Sequence, residues 1–431
     1  MKKSALLFLP MLLAASLFAQ GNPSGPPQGG PQQSDGAQQG GPGAPGGSGQ
    51  PAGASQTAAL KSPIVNPDGT VTFNLYAPTA ISVSVNGQLY PVLTKGSQTG
   101  KPLVKDDKGI WSVTIGPFPA AFYDYHFIVD GVAALDPINK HVAYGDNWFL
   151  VPGDVTNDYL FNDVPHGTVS EVWYPSPTLG MVRRRMSVYT PPGYEDSTAR
   201  YPVVYLLHGG NASEHTWLQS GRVAEVLDNL IAQGKAVPMI VVFPNGNETQ
   251  SMTNADADVP SALGPPMGQP MQQRSQGTGQ TGQGAPGGQG GPGGPGGTTS
   301  TKFPDSIAAD IVPWIDKHYR TRADSDDRAV TGLSLGSGQA MLAVFRHPDV
   351  FGWPGVFGEI SKLPDLPAGA ASKLHKFYIS TPAAQNSMET ATKALDAAGI
   401  KYIIDSHPEY SSEFWRPGFV AYASHLFKSE Q

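Results

Sequence analysis

Apolar residues alternate with polar ones in short runs through the first third of the chain. The alternating positions are Val71, Phe73 and Leu75, then Ile81, Val83 and Val85, then Trp111, Val113 and Ile115, and then Tyr123, Tyr125, Phe127 and Val129. A period of two predicts half-buried β-strands. Asn86-Gly87 and Asp130-Gly131 predict tight turns, because these residue types tolerate a positive φ. We therefore predict an all-β sandwich over residues 61–155.

From about residue 168 the pattern changes to strands that alternate with helices. Continuous apolar runs at 203–207 and 239–243 predict strands buried on both faces, as in a parallel sheet. Further segments have strand or helix periodicity: strands at 328–331, 376–380 and 401–405, and helices at 223–231, 307–319 and 388–398. This alternation predicts an α/β domain with a mostly parallel sheet over residues 165–431.

Two segments and the N-terminus lack such periodicity. Residues 1–19 have two lysines followed by a short apolar stretch, which predicts a cleaved signal peptide and a periplasmic or extracellular protein with no membrane span. Residues 20–60 and 261–301 hold much of the chain's 52 glycines and 41 prolines. Such composition predicts a disordered tether before the first domain and a disordered insertion within the second.

Charge and cysteine content exclude several classes of function. A net charge of −7 argues against a nucleic-acid partner, which selects a basic surface. The absence of cysteine excludes disulfides, thiolate metal sites and a cysteine nucleophile. The ten histidines are scattered without metal-ligand spacing, so we predict neither a metal nor a cofactor.

Two motifs in the second domain indicate acyl-transfer chemistry. Gly332-Leu333-Ser334-Leu335-Gly336 fits G-x-S-x-G between a strand and a helix, which predicts Ser334 as a nucleophile on a sharp turn. Gly209 and Gly210 follow the strand 203–207 and, with the backbone N–H of Leu335, are predicted to form an oxyanion hole. The adjacent His208 is interpreted as structural.

Several segments resemble the esterase D and carbohydrate esterase family one group, which includes feruloyl and acetylxylan esterases and is related to enterochelin esterases. The matching segments are Tyr189 to Tyr194, Tyr201 to Gly210, Val242 to Gly246, Gly332 to Gly336 and Trp415-Arg416-Pro417. The resemblance implies an α/β-hydrolase fold and a small-molecule or glycan ester as substrate. The preceding β-region resembles an early-set, immunoglobulin-like module.

The resemblance also implies a catalytic acid and histidine that this chain lacks. The acid's place, after the strand 376–380, is taken by Gln385, and the histidine's place, five residues before Trp415, by Tyr410. Neither side chain exchanges a proton near pH 7. His407, which follows Asp405 in the same loop, is the candidate substitute base. His375 and His425 are expected to lie at the wrong edge of the sheet and in the terminal helix.

Two functions therefore remain open from the sequence. The first is an exported serine carboxylic-ester hydrolase with a degenerate triad. The second is a pseudo-esterase that keeps the pocket and only binds a glycan or another ligand. A third interpretation, a surface adaptor, has no specific sequence support.

Overall fold

The structure is a computed structural model. It describes residues 60–89, 92–93, 100–143, 145–210, 212–248, 302–358, 360, 363–364, 369–382, 388–407 and 414–428. The predicted signal peptide, almost all of the predicted tether, the predicted insertion, Gln385 and Tyr410 lie outside the described residues.

Ten antiparallel strands between residues 64 and 150 form two sheets, in the orders β1-β2-β6-β5 and β4-β3-β7-β10-β9, with β8 beside β7. They are β1 (Ile64–Val65), β2 (Val71–Tyr76), β3 (Val83–Gly87), β4 (Lys101–Pro102), β5 (Val104–Lys105), β6 (Ile110–Ile115), β7 (Phe122–Val129), β8 (Val132–Ala134), β9 (Val142–Ala143) and β10 (Asp146–Leu150). The alternating apolar residues Phe73, Val85, Tyr125 and Phe127 are fully buried in one core shared by both sheets. The strands predicted from alternation are thus present, because each places one apolar face against that core. The prediction is wrong at Ile81, which precedes β3 and is 89% exposed.

One of the two predicted tight turns is wrong. Asp130 and Gly131 have φ of 49° and 84° and connect β7 to β8, as predicted. Asn86 and Gly87 instead lie within β3, where Gly87 pairs with Tyr125. A Cβ at Gly87 would lie 2.3 Å from the carbonyl oxygen of Asp124, so this glycine permits a close backbone approach and not a turn.

The second region is built on one eight-stranded sheet. Its strands are β11 (Thr168–Ser176), β12 (Met181–Thr190), β13 (Val203–Leu207), β14 (Ile240–Pro244), β15 (Arg328–Gly332), β16 (Trp353–Phe357), β17 (Phe377–Thr381) and β18 (Tyr402–Ser406). Their order is β11-β12-β14-β13-β15-β16-β17-β18. β12 is antiparallel to both its neighbours, and the strands from β14 to β18 are parallel. This is the order of the α/β-hydrolase fold, and the predicted fold class is confirmed.

Helices cover both faces of this sheet. They are α1 (Thr216–Gln219), α2 (Val223–Ala232), α3 (Lys302–Ser306), a π-helical turn (Ile307–Ile311), α4 (Val312–His318), α5 (Leu335–Arg346), α6 (Glu389–Ala397) and α7 (Trp415–His425). The helix predicted at 307–319 therefore begins earlier, at Lys302. The π-turn, α5 and α6 pack on one face, and α1, α2 and α7 on the other. Both faces are apolar, which explains the continuous apolar runs of β13 and β14.

The β-region and the α/β-region are packed against each other through buried aromatic residues. Phe122 and Trp148 belong to the same core cluster as α2 and α7. Arg416, at the start of α7, is buried and donates to the carbonyl oxygen of Ser220 at 2.8 Å. Its guanidinium lies 4.6 Å from the Phe122 ring centroid and 3.8 Å from the Asp124 carboxylate. The Trp415-Arg416-Pro417 segment thus joins the two regions.

Candidate active site

Ser334 occupies a strained turn between β15 and α5. Its φ of 52° and ψ of −108° lie in a region that side chains other than glycine rarely adopt. Such a conformation costs on the order of 1–3 kcal/mol and persists only where the surrounding structure enforces it. The turn leaves Ser334 exposed at the end of the sheet, which is the geometry predicted from the G-x-S-x-G motif.

The two glycines of the motif allow this turn to close. A Cβ at Gly332 would lie 2.5 Å from the carbonyl carbon of Gly336. A Cβ at Gly336 would lie 2.6 Å from the carbonyl oxygen of His208 and 2.8 Å from that of Leu207. The motif is therefore pressed against the end of β13, and both positions require glycine for steric reasons.

The predicted oxyanion loop lies beside the nucleophile turn. Gly209 is buried, and a Cβ on it would lie 3.5 Å from the carbonyl oxygen of Leu333. Gly210 is exposed, with no atom within 4 Å of the place where its Cβ would be. Leu335 is the first residue of α5, so its N–H lies at a helix N-terminus, where orphan backbone donors stabilise anions. The structure thus brings Ser334, Leu335 and Gly209 together.

His208 links two loops and is held in one neutral tautomer. Its Nε2 accepts a hydrogen bond from the backbone N–H of Gly246 at 2.8 Å, so its Nδ1 carries the proton and donates to the carbonyl oxygen of Gly209 at 2.7 Å. Burial lowers the pKa of His208, which favours this neutral form. These contacts fit the structural role expected for His208.

His407 directly follows β18 and contacts Asp405. Its Nε2 lies 2.8 Å from the Asp405 carboxylate, which also accepts a hydrogen bond from the Tyr378 hydroxyl. Burial alone would raise the pKa of Asp405, but the adjacent His407 imidazole and the hydrogen bond from the Tyr378 hydroxyl outweigh it and hold the pKa below its usual value. Asp405 and His407 therefore form an acid–imidazole pair.

The structure does not join that pair to Ser334, the predicted nucleophile. No hydrogen bond to the Ser334 hydroxyl is found among the residues that the structure describes. β15 and β18 are separated by two strands, which places their ends about 14 Å apart at the usual strand spacing. A histidine immediately after β18 is therefore remote from Ser334 in the sheet order.

The other two histidines are placed as expected. His375 precedes β17, at the amino end of the strand and therefore at the opposite end from His407, and its Nε2 lies 3.1 Å from an Asp326 carboxylate oxygen. His425 lies at the end of α7 with its ring 6.0 Å from that of Tyr378.

A buried polar cluster next to the oxyanion loop was not predicted. The Glu214 carboxylate is fully buried and accepts hydrogen bonds from Arg185 Nε at 2.6 Å and Asn245 Nδ2 at 2.8 Å. Gln339 on α5 donates to the carbonyl oxygen of Gly246 at 2.9 Å. Glu214 lies in a polar stretch between a strand and a helix, a setting that is usually solvent-exposed, so the sequence offers no signal of its burial.

Two further observations concern ligands and membranes. In the described part of the chain, no group of three or more His, Asp or Glu side chains is arranged to hold a metal ion. Within the same ranges, no helix has the length and apolar character needed to cross a bilayer.

The strand order and the Ser334 turn give this region the α/β-hydrolase fold. The Esterase family model matches residues 176–276 and 283–392, so this part of the chain is similar to that family. An endo-1,4-β-xylanase/feruloyl esterase of Xylanibacter ruminicola is 28% identical over 379 residues, which cover 85% of this chain and 46% of that protein. An esterase of Mycobacterium tuberculosis is 27% identical over 163 residues, covering 38% of this chain and 26% of that protein. The chain thus spans less than half the length of these relatives.

The fold is shared with solved esterase structures. The enterochelin esterase of Shigella flexneri has a TM-score of 0.57 at 15% identity, over 87% of this chain and 97% of that one. The enterobactin esterase from the same organism, determined in the presence of enterobactin, has a TM-score of 0.53 at 16% identity, over 82% and 92% of the two chains. At this level of identity the likeness establishes the fold.

Proposed function

We propose that this protein is a slow carboxylic-ester hydrolase with Ser334 as its nucleophile. The observation that carries the proposal is the strained, exposed Ser334 turn beside Gly209 and the N-terminus of α5. Strain of this kind is kept where a side chain must be presented to a ligand. The names of the relatives point to esters of glycans or aromatic acids as substrates, since one is a feruloyl esterase and others are enterobactin esterases.

The proposed reaction proceeds through an acyl-enzyme. The Ser334 Oγ attacks the ester carbonyl carbon while a base accepts its proton, and the N–H groups of Leu335 and of Gly209 or Gly210 stabilise the oxyanion. The C–O bond to the alcohol then breaks, the base returns the proton to the leaving oxygen, and water hydrolyses the acyl-enzyme. His407, held by Asp405, is the proposed base after a movement of its loop.

A specific observation also supports the alternative of a ligand-binding pseudo-esterase. Among the described residues the Ser334 hydroxyl has no hydrogen-bonded base, and the family positions of the acid and the histidine are Gln385 and Tyr410. A serine without a base has little nucleophilic character. The pocket would then still bind esters but release them unchanged.

The test is labelling by an alkyl fluorophosphonate together with hydrolysis of an aryl acetate. We expect weak labelling and slow hydrolysis that are lost in Ser334→Ala and reduced in His407→Ala. The matched control is His375→Ala, because His375 is also paired with an aspartate but lies at the amino end of its strand, whereas His407 follows the carboxyl end of β18. Turnover that persists undiminished in Ser334→Ala would refute the proposed nucleophile, and turnover insensitive to His407→Ala would refute the proposed base.

Restoring the family residues separates the two functions. The double variant Gln385→Asp, Tyr410→His should raise the rate above either single variant, because triad members act as a unit. If the wild-type protein neither reacts nor hydrolyses while the double variant does both, the pseudo-esterase is the correct interpretation.

Export and domain organisation complete the proposal. The lysines and apolar run of residues 1–19 support a cleaved signal peptide and a periplasmic or extracellular location. The two antiparallel sheets with their own core support an early-set, immunoglobulin-like domain over residues 61–155. Residues 165–431 would form the esterase domain.

A further inference from the structure

The two glycines of the oxyanion loop have no side chains that could fix the conformation of the loop. Gly209 and Gly210 carry no side chains, and Gly210 is exposed with open space around it. Backbone donors stabilise an oxyanion well only if they are already in place before the charge develops. The contacts that fix this loop must therefore come from neighbouring residues.

Three hydrogen bonds connect the oxyanion loop and the residues just after it to the turn that follows β14. His208 Nε2 accepts from the backbone N–H of Gly246 at 2.8 Å. Asn247 Nδ2 donates to the carbonyl oxygen of Ala212 at 3.0 Å. The Glu214 carboxylate accepts from Asn245 Nδ2 at 2.8 Å. Glu214 has the additional partner Arg185 on β12, so it joins the loop to two other elements of the sheet.

The same turn is also bound to the nucleophile helix. Gln339 lies on α5, five residues after Ser334, and its Nε2 donates to the carbonyl oxygen of Gly246 at 2.9 Å. A Cβ on Gly246 would lie 2.7 Å from Gln339 Oε1, so glycine at 246 permits this close contact. Gly246 is thus held between His208 of the oxyanion loop and Gln339 of the nucleophile helix.

We propose that Glu214 is a positioning residue that, through Asn245 and the Gly246 turn, holds the oxyanion loop in place against the Ser334 helix. The proposal rests on the proposed ester chemistry, because its benefit is a preformed oxyanion hole. The physical reason is that the fully buried Glu214 carboxylate is held in one position by the Arg185 guanidinium and the Asn245 amide. Leaving a buried charged or polar group without a partner raises the free energy of the folded protein, so other loop positions are disfavoured. A neutral or truncated side chain at 214 leaves the loop free to sample other positions.

The experiment compares Glu214→Gln with a second variant, Gln339→Ala, and with a matched control, Asp228→Asn. Asp228 is also a buried carboxylate, and it accepts from the Tyr189 hydroxyl at 2.7 Å and from the Gly167 N–H at 2.9 Å. Tyr189 pairs with Val241 near the start of β14, so this control acts at the opposite end of the sheet. Two readouts are measured on the full chain: amide hydrogen exchange of the peptide spanning residues 203–216, and the kinetics of fluorophosphonate labelling as a function of reagent concentration.

We expect faster exchange of that peptide in both test variants and not in the control. The maximal labelling rate should fall by about tenfold or more, as expected for impaired oxyanion stabilisation. The reagent concentration at half-maximal rate should change less than about twofold, because reversible binding is left intact. A purely structural loss of folded protein would lower the amplitude of labelling and leave the rate of the folded fraction unchanged.

Unchanged exchange in residues 203–216 of Glu214→Gln, or an equal effect in Asp228→Asn, would overturn the positioning role. If Glu214→Gln does not fold, Gln339→Ala decides by the same criteria. If the wild-type protein is not labelled at all but exchange rises in the two test variants, the positioning role stands and the proposed hydrolase function fails.

Discussion

Replacing Gly336 with alanine should destabilise the protein although Gly336 lies within a helix. Alanine is normally favoured over glycine in a helix interior by roughly 0.5–1 kcal/mol. Here the added Cβ would lie 2.6 Å from the His208 carbonyl oxygen, 2.8 Å from the Leu207 carbonyl oxygen and 2.9 Å from Leu207 Cβ. Two of these three atoms belong to the backbone, so no side-chain rotation relieves the overlap.

The magnitude follows from what must move. The Leu207 carbonyl oxygen accepts hydrogen bonds from the Leu333 N–H at 3.1 Å and from Trp217 Nε1 at 2.9 Å. Overpacking of a rigid site costs about 1–3 kcal/mol, and weakening two hydrogen bonds adds about 1–2 kcal/mol. After subtraction of the helix preference, we expect a net loss of about 1–4.5 kcal/mol in the free energy of unfolding.

The chain supplies a matched control two residues further along the same helix. Gly338 has no atom within 4 Å of the place where its Cβ would be, so Gly338→Ala should stabilise the protein by up to about 1 kcal/mol. Urea denaturation followed by tryptophan fluorescence measures both variants, and their midpoints should differ by about 1 M. A Gly336→Ala midpoint equal to or above that of the wild type would refute the steric reasoning.

The remaining predictions concern the acid–imidazole pair and the contact between the two regions. The pKa of Asp405 is lowered in the folded state. Its contribution to stability is therefore present above the unfolded pKa near 3.8 and is lost as the pH falls through the lower folded pKa. The difference in denaturation midpoint between the wild type and Asp405→Asn should shrink below about pH 4, and a constant difference would contradict the lowered pKa. Arg416→Met keeps the aliphatic volume of the side chain but removes the hydrogen bond to Ser220 and the positive charge beside Asp124 and Phe122. The free energy of unfolding should therefore fall by about 2–3 kcal/mol. An unchanged urea midpoint would show that Arg416 does not stabilise the packing of the two regions.

The pattern of apolar residues predicted a strand correctly where the strand contacts the core in a regular way along its length. The fully buried strands β13 and β14 and the alternating strands β2 and β7 have their apolar periodicity in the sequence itself, because each element meets one core in a regular way. The nucleophile turn was predictable for a related reason. A Cβ at Gly332 would meet the Gly336 backbone within the same turn, so glycine at 332 is a local requirement, whereas Gly336 is required by the carbonyl oxygens of Leu207 and His208 at the end of β13.

The sequence pattern was not sufficient for residues whose contacts lie far apart in the chain, because those contacts form only in the folded protein. The Asn86-Gly87 pair has the composition of a turn, yet the pairing of Gly87 with Tyr125 places it in a strand. Glu214 is buried because Arg185 and Asn245, which are far from each other in the sequence, both donate hydrogen bonds to its carboxylate. His407 shows the same limit. Its position after Asp405, in the loop that holds Tyr410, suggested a substitute base, but its contact with Asp405 and the two strands between β15 and β18 are properties of the assembled sheet. Most strands and helices and the Ser334 turn were therefore predictable, because their signals lie in neighbouring residues, whereas the positions of the charged groups around Ser334 depend on long-range packing.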